Sequence, residues 1–520
     1  MTYSSVFNSI INSFYQDSNF FSIPPLCDIL MTSALSRPTR VPTRSLLPRR
    51  LVNLNACPRK HWLFASKARV RMMRPPKERG PAVASSGGAW LGWDMDADHF
   101  IGIGTRLAWE GETSFGLSRA DRRHHLYVLG KTGTGKTTLL RNLILQDIAA
   151  GEGVGIIDPH GDLAADLLDH IPSHRTDDVV YFNPADDDTS IGLNLMQSVP
   201  PNRRHLVTSG IVSALKGVWS DSWGPRLEYI LNATIAALLE CDNTTILGIQ
   251  RMLVDAGYRS WVLRQVSDPM VRAFWLNEFP RYEKGFMTEA IAPIQNKVGQ
   301  LLMAPPIRLM LGQIKSKVDV RFMMDDRRIF IANLSKGALG ADKANLIGSL
   351  LMTQFQLAAM SRADLPEASR RDFHLYIDEA HNFMTDAFTS ILSEARKYRL
   401  CLTLSHQYSS QFRPSTLDAV LGNVGNLISF RVGDQDATVL EREFGNVYPA
   451  NVFNSLGNYH VVCKLLDRGE PRDPFLGRTF PELGRRHGRG QNILRRSQEK
   501  YATPKHLVED KIRRWMERPF

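Results

Sequence analysis

Two groups of residues in this sequence have the types and spacing to do chemistry. In "LYVLGKTGTGKTTLL", the run Gly130, Lys131, Thr132, Gly133, Thr134, Gly135, Lys136, Thr137 and Thr138 places two glycines five apart, the second directly before Lys-Thr. Such glycines let successive backbone N–H groups turn inward around a β-phosphate. Lys136 then reaches the β- and γ-phosphates, and the Thr137 hydroxyl is a ligand for Mg²⁺. In "FHLYIDEAHNF", an apolar run ends in Asp378 and Glu379. Asp378 suits the Mg²⁺ water shell, and Glu379, one step on, can orient and polarise an attacking water. Each group alone has a plain alternative: a glycine-rich turn, or a strand running out into a solvated loop. Together they point to hydrolysis of a nucleoside triphosphate. A guanine-reading N-K-x-D motif is missing, since Asn296-Lys297 is followed by Val298 and Gly299. ATP is preferred by elimination.

These groups need elements to hold them. Leu126–Leu129 reads as a short buried strand, and Leu139, Leu140, Leu143, Ile144 and Ile148 give the apolar face of the helix that follows. Further strands are expected in "GVGIIDPHGDL" (153–163), "DVVYFNP" (178–184), "RIFIANLSKGALG" (328–340), Leu375–Ile377, Cys401–Ser405 and "NLISFRV" (426–432). Strands alternating with helices predict an α/β fold: a RecA-like, additional-strand P-loop arrangement with a mostly parallel sheet and helices on both faces. Gln407 ends the strand expected beside the P-loop strand, where an amide can sense the γ-phosphate; an exposed loop glutamine is its plain alternative. Between residues 197 and 320 helical patterns dominate. Leu227, Ile230, Leu231, Ile235, Leu238 and Leu239 keep a helical stripe, which Thr234 interrupts. Asn243-Thr244 reads as the cap of a next helix running toward Gly257. Trp219, Trp223 and Trp275 in this region read as core or contact residues rather than stackers of DNA bases.

Asp378-Glu379-Ala380-His381 also spells the box after which one helicase class is named. That class keeps its P-loop and acids close together and adds a Ser-Ala-Thr motif and a second motor lobe. Here Lys136 and Asp378 lie 242 positions apart, "CLTLSHQ" lacks Ser-Ala-Thr, and "GRRHGRG" (484–490) follows no second lobe. The helicase reading fails, and His381 reads as incidental.

Composition is that of a globular protein, 43% hydrophobic and 22% charged, and 520 residues leave room for two or three domains. The five cysteines (27, 57, 241, 401 and 463) form no C-x-x-C pair, which argues against a zinc site and fits a reducing compartment. No run of about 18 apolar residues suggests a spanning helix. The net charge of +11 is uneven. Residues 1–90 hold thirteen Lys/Arg against three Asp/Glu, residues 485–520 eleven against four, and the segment between them is left at −6. A uniform electrostatic attraction of the body to nucleic acid is thereby excluded, and DNA contact would need local patches. The expected organisation is a basic Arg/Pro-rich, disordered segment (1–90), a first motor half (91–196), an inserted all-α domain (197–320), a second motor half (321–470) and a basic tail (471–520).

The segments "HLYVLGKTGTGKTTLL", "GIIDPHGDL", "WGPRLEYIL", "NLSKGALG", "LYIDEAHNF", "SEARKYRLCLTLSHQY" and "NVGNLISFRVGDQDA" occur in that order. With them the chain resembles the TraG/TraD-type coupling ATPases of type IV secretion and conjugation, part of the wider HerA/FtsK superfamily of hexameric DNA pumps. The resemblance implies ATP and Mg²⁺ as cofactors and a homo-hexameric ring that moves DNA by sequence-independent backbone contacts. Relaxase or secretion-channel proteins are the implied partners. It also implies a cytoplasmic location or a peripheral one at the inner membrane face, since no integral anchor is expected here. An arginine supplied in trans to the neighbour's γ-phosphate is implied as well, Arg396 of "EARKY" first and Arg431 second. Two other readings stand beside this one: a soluble HerA/FtsK-like translocase in repair or packaging, and an ATP-dependent switch or scaffold for a protein partner.

Overall fold

Along Leu126–Leu129 the four side chains are buried on alternating sides: Leu126 and Val128 join one apolar cluster, Tyr127 and Leu129 another. A strand buried on both faces belongs at the centre of a parallel sheet covered by helices. The computed structural model describes residues 100–108, 111–385 and 392–520, so the expected basic segment 1–90 lies outside the described residues. Its strands are β1 (Phe100–Ala108), β2 (Gly111–Ser118), β3 (Leu126–Leu129), β4 (Gly153–Asp158), β5 (Val179–Phe182), β6 (Thr189–Ser190), β7 (Ile329–Asn333), β8 (Phe373–Ile377), β9 (Leu400–His406), β10 (Asn426–Ser429), β11 (His460–Lys464), β12 (Leu466–Asp467), β13 (Glu470–Pro471), β14 (Phe475–Thr479) and β15 (Thr503–Pro504).

Eleven strands form one sheet in the order β2-β1-β14-β11-β10-β3-β9-β8-β4-β7-β5. From β10 to β5 every pairing is parallel, and the β2-β1-β14-β11-β10 edge is antiparallel. The P-loop strand β3 is separated from the acid-bearing β8 by β9, the additional-strand arrangement expected from the sequence. The antiparallel edge is not anticipated by the sequence reading.

The helix Lys136–Ala149 packs Leu139, Leu140, Leu143, Ile144 and Ile148 into the cluster on one face. It is pinned by a buried network in which Arg122 donates to both oxygens of Asp147 (2.6 and 2.7 Å) and to the Tyr376 hydroxyl (2.9 Å). Burial pushes the Asp147 carboxyl up, but Arg122, His374 and the Tyr376 hydroxyl together outweigh that and hold it at about 2. On the other face Ala341–Ser361 and the helices between Arg204 and Asp325 share a single cluster with the sheet. The stripe expected around Leu227 forms the helix Pro225–Leu239. Thr234 is accommodated because its hydroxyl donates to the Ile230 carbonyl (2.7 Å), satisfying the one polar group on the buried face.

Asn243-Thr244 does not cap the next helix. The Thr244 hydroxyl donates back to Leu238 (2.7 Å) and Cys241 (3.1 Å), closing the helix before it, and the next begins at Gly248. Trp275 is buried, and Trp219 and Trp223 pack half-buried against the core.

Residues 471–520 do not run free as a tail. β14 pairs with β1 and β11, and β15 with β6. The helix Gly490–Tyr501 buries Ile493, Ser497 and Tyr501 at intervals of four, while Lys505–Glu517 buries Val508 and Ile512. Basic composition masked this periodicity, because most of the charges occupy the solvated faces. Among the described residues, no helix is long and apolar enough to cross a membrane.

Candidate active site

The site is assembled at the carboxyl ends of β3, β8 and β9. The loop 130–135 leaves β3, and the helix that begins at Lys136 has no acidic residue in its first turn, so its positive end is not neutralised by its own side chains. Gly135 has φ +117°, and a Cβ there would meet the Tyr459 ring at 2.8 Å, so a side chain is excluded both by conformation and by space. The Thr134 hydroxyl donates to the Lys131 carbonyl (2.7 Å), which fixes the curl. Lys136 is buried, with its ammonium inside that curl donating to the carbonyls of Gly130 (2.6 Å) and Lys131 (3.2 Å). Burial lowers its pKa, and the carboxylates of Glu379 and Asp378 oppose the shift. Lys131, Thr132 and Gly133 are exposed, as is Thr137 beyond the curl, and Thr138 is half-buried.

Asp378 and Glu379 follow β8 directly, two strand spacings (about 10 Å) from β3. The Asp378 N–H donates to the Ile157 carbonyl (3.1 Å), and the Asp378 Oδ1 accepts from the Glu379 N–H (3.0 Å). Burial, with Glu379 and Asp158 nearby, pushes the Asp378 carboxyl up to about 6. Glu379 adopts φ 47°, ψ 51°, a left-handed conformation that a non-glycine residue keeps only where its surroundings hold it. The observed β9 ends at His406, and Gln407 comes next. Its Nε2 donates to the Glu379 Oε1 at 2.8 Å. The P-loop, both acids and Gln407 thus gather at one end of the sheet.

The two arginines lie apart. Arg431 is beside its own P-loop: its carbonyl accepts from the Lys131 N–H (2.8 Å), and its guanidinium contacts the Leu456 carbonyl (3.3 Å) and Asn458 (3.2 Å). Arg396 sits in the turn Ala395–Tyr398 before β9, exposed, 3.2 Å from the His124 Nδ1. That is the opposite end of the sheet, the seven residues of β9 (about 20 Å) from the P-loop end.

Three neighbours escape sequence reasoning. Asp158 ends β4 beside Asp378 and accepts from the N–H groups of His160 (2.8 Å) and Ala164 (3.0 Å). Lys336, after β7, donates to Asn382 (2.7 Å) within electrostatic reach of Glu379. Tyr459 lies against Gly135, and its N–H donates to the Thr134 carbonyl (2.8 Å). A charged residue closing an apolar strand is the signal that could have flagged Asp158; Lys336 and Tyr459 carry none.

Residues 112–203 match the family model described as Helicase HerA, central domain (DUF87). No curated protein sequence matches the chain. Among solved structures, the bacterial conjugative coupling protein TrwBdeltaN70 in its unbound monoclinic form is similar at 15% identity with a TM-score of 0.53, over 72% of this chain and 88% of that one. The plasmid coupling protein TrwB in complex with ADP and Mg²⁺ is similar at 15% identity with a TM-score of 0.52, over 71% and 88%. VirB4 of Thermoanaerobacter pseudethanolicus follows at 14% identity and a TM-score of 0.48, over 73% and 96%. The chain is a P-loop ATPase built on the RecA-like fold that the conjugative coupling protein TrwB also has, and its residues 112–203 are similar to the HerA central domain.

Proposed function

We propose that this chain is an ATP-driven motor that translocates DNA through a ring of identical subunits, of the conjugative coupling type. The observation that carries the reading is the contact of Glu379 with Gln407 (2.8 Å), whose strand β9 lies directly beside the P-loop strand, with Asp378 next to Glu379. In this reading Gly130–Thr138 bind the triphosphate, Glu379 takes the proton of the attacking water, and Gln407, held to Glu379, senses the γ-phosphate.

A divalent ion fits the site. Asp378 lies in the field of the Glu379 and Asp158 carboxylates, and with its burial this pushes it toward its neutral form. A cation would relieve that excess of negative charge. Thr137 and Asp378 are the residues that would hold Mg²⁺, with phosphate oxygens and water supplying the other ligands. When bound, the ion neutralises charge on the phosphates. TrwB, solved with ADP and Mg²⁺, supports this cofactor pair.

The placement of Arg396 supports assembly as a ring. At the far end of the sheet it cannot serve its own P-loop, but it can face the triphosphate of an adjacent copy. DNA is the expected substrate, gripped by its phosphates without regard to sequence. A relaxase or channel protein would deliver it, at the inner membrane face or in the cytoplasm. The HerA-type match favours a second reading, a translocase acting outside any secretion apparatus, which would use the same residues.

The test is ATP turnover with and without DNA, for wild type and Glu379→Gln. DNA should raise the wild-type rate and leave the variant inactive. Active hydrolysis indifferent to DNA would refute the motor reading in favour of a switch or scaffold.

A further inference from the structure

We propose that His381 is a positioning residue for Glu379, joined to it by a ring of contacts that runs through the Gln411 side chain and the backbone and side chain of Gln407. The inference rests on the reading of Glu379 as the water-polarising acid. The ring can be traced donor by donor. The Gln411 Oε1 accepts the backbone N–H groups of Gln407 (3.1 Å) and Tyr408 (3.2 Å), which fixes which way its amide points. Its Nε2 therefore faces the His381 Nε2, 3.4 Å away. An amide nitrogen only donates, so the His381 Nε2 is the acceptor, and the neutral ring must carry its hydrogen on Nδ1. That Nδ1 lies 3.5 Å from the Glu379 Oε2. Both atoms are buried, and neither has a hydrogen-bond partner. The other oxygen, Oε1, is already held by the Gln407 Nε2 at 2.8 Å.

Two buried polar atoms of complementary type, facing each other without other partners, are what a hydrogen bond requires. A movement of about 0.5 Å would bring them to ordinary bonding distance, and contacts of this kind tighten as a site engages substrate. His381 is three residues after Asp378, in the turn that follows the left-handed Glu379, so its ring is presented by the same strained turn. Facing it from other elements are Lys336, whose charge disfavours a second proton, and the buried His406 ring, with centroids 6.5 Å apart. Burial lowers the pKa of His381, in keeping with the neutral donor the geometry calls for. Of the two oxygens of Glu379, one is then fixed directly by Gln407 and the other by His381, which Gln411 orients. A shift of the turn Gln407–Gln411 would move the acid and the phosphate-sensing amide together.

The experiment measures kcat, KM and the affinity for a fluorescent ATP analogue in the full chain, for wild type, Glu379→Gln, His381→Ala, His381→Asn, Gln411→Leu and the double variant His381→Ala/Gln411→Leu. His381→Ala should lower kcat about tenfold or more, since small misplacements of a reacting group cost that much. KM, analogue affinity and melting temperature should stay near wild type. His381→Asn, whose amide can donate from about the same place, should recover part of kcat. Gln411→Leu should resemble His381→Ala, and the double variant should lose little more than either, because the residues act as one unit. Wild-type kcat in His381→Ala while Glu379→Gln is inactive would overturn this inference alone. A joint loss of analogue affinity and stability, with no rescue by Asn, would also overturn it. Full turnover by Glu379→Gln would remove the reading of Glu379 on which it rests.

Discussion

Asp378 is held at a cost that can be measured. Its carboxyl is raised from an ordinary 3.8 to about 6 by burial beside Glu379 and Asp158. Roughly two pK units at about 1.4 kcal/mol each make its ionised form unfavourable by about 3 kcal/mol at neutral pH. The direction follows from proton linkage. Because the folded pKa lies above the unfolded one, the folded chain binds the proton more tightly, so this term stabilises below about pH 4 and is lost as pH rises through 6. Asp378→Asn keeps the shape and removes the charge. In EDTA, without nucleotide, the variant should be more stable than wild type by about 1–3 kcal/mol at pH 7.5, the lower values allowing for altered hydrogen bonding. In a chain of this size that is a few degrees of melting temperature. The gap should narrow between pH 6 and 4. With ATP and Mg²⁺ added, wild type should gain stability while the variant gains less and hydrolyses nothing. The assay is a series of thermal melts from pH 4 to 8 with and without ATP and Mg²⁺. A variant that melts below wild type at neutral pH, or a gap unchanged by acid, would refute the electrostatic account.

Asp147→Ala would strand the buried Arg122 with only the Tyr376 hydroxyl for a partner, and should cost about 3–5 kcal/mol in urea denaturation. Replacing the pair together, Arg122→Met with Asp147→Leu, should cost less than Asp147→Ala alone; a larger loss in the double variant would contradict the argument from a stranded charge. The two arginines are separable by mixing inactive subunits. Lys136→Ala combined with Arg396→Ala should recover part of the ATPase rate, because the first can lend its arginine to the second's intact P-loop. Lys136→Ala combined with Arg431→Ala should recover nothing beyond what each has alone, since the Arg431 guanidinium is held by the Leu456 carbonyl and Asn458 of its own chain. Recovery in the second mixture but not the first would reverse the assignment.

The sequence displayed most plainly what is buried on both sides. β3, β4, β5 and β8 are fully buried and apolar apart from Asp158 and His374, so they stand out in the sequence, and the P-loop and the acid pair stand at the ends of such runs. The antiparallel edge was hidden for the opposite reason. "GETSFGLS" of β2 is half exposed and broken by glycine, and β1 finds its partner β14 only through pairings such as Thr105 with Arg478, at opposite ends of the motor. Strands of that kind are specified by their neighbours more than by their own residues.

The same contrast runs through the site. Lys136, Asp378 and Glu379 are legible because phosphate and metal chemistry fixes their spacing from a strand. His381 was not, because its role depends on which atom of Gln411 faces it, and that is decided by two backbone N–H groups of a turn some thirty positions away. A motif thus marks the groups proposed to touch substrate, whereas those proposed to aim them become visible only once the strand order has joined the ends of β8 and β9. The most informative substitutions in this chain therefore lie at His381 and Gln411, to which no motif points, although both belong to the ring that runs from Glu379 through Gln407.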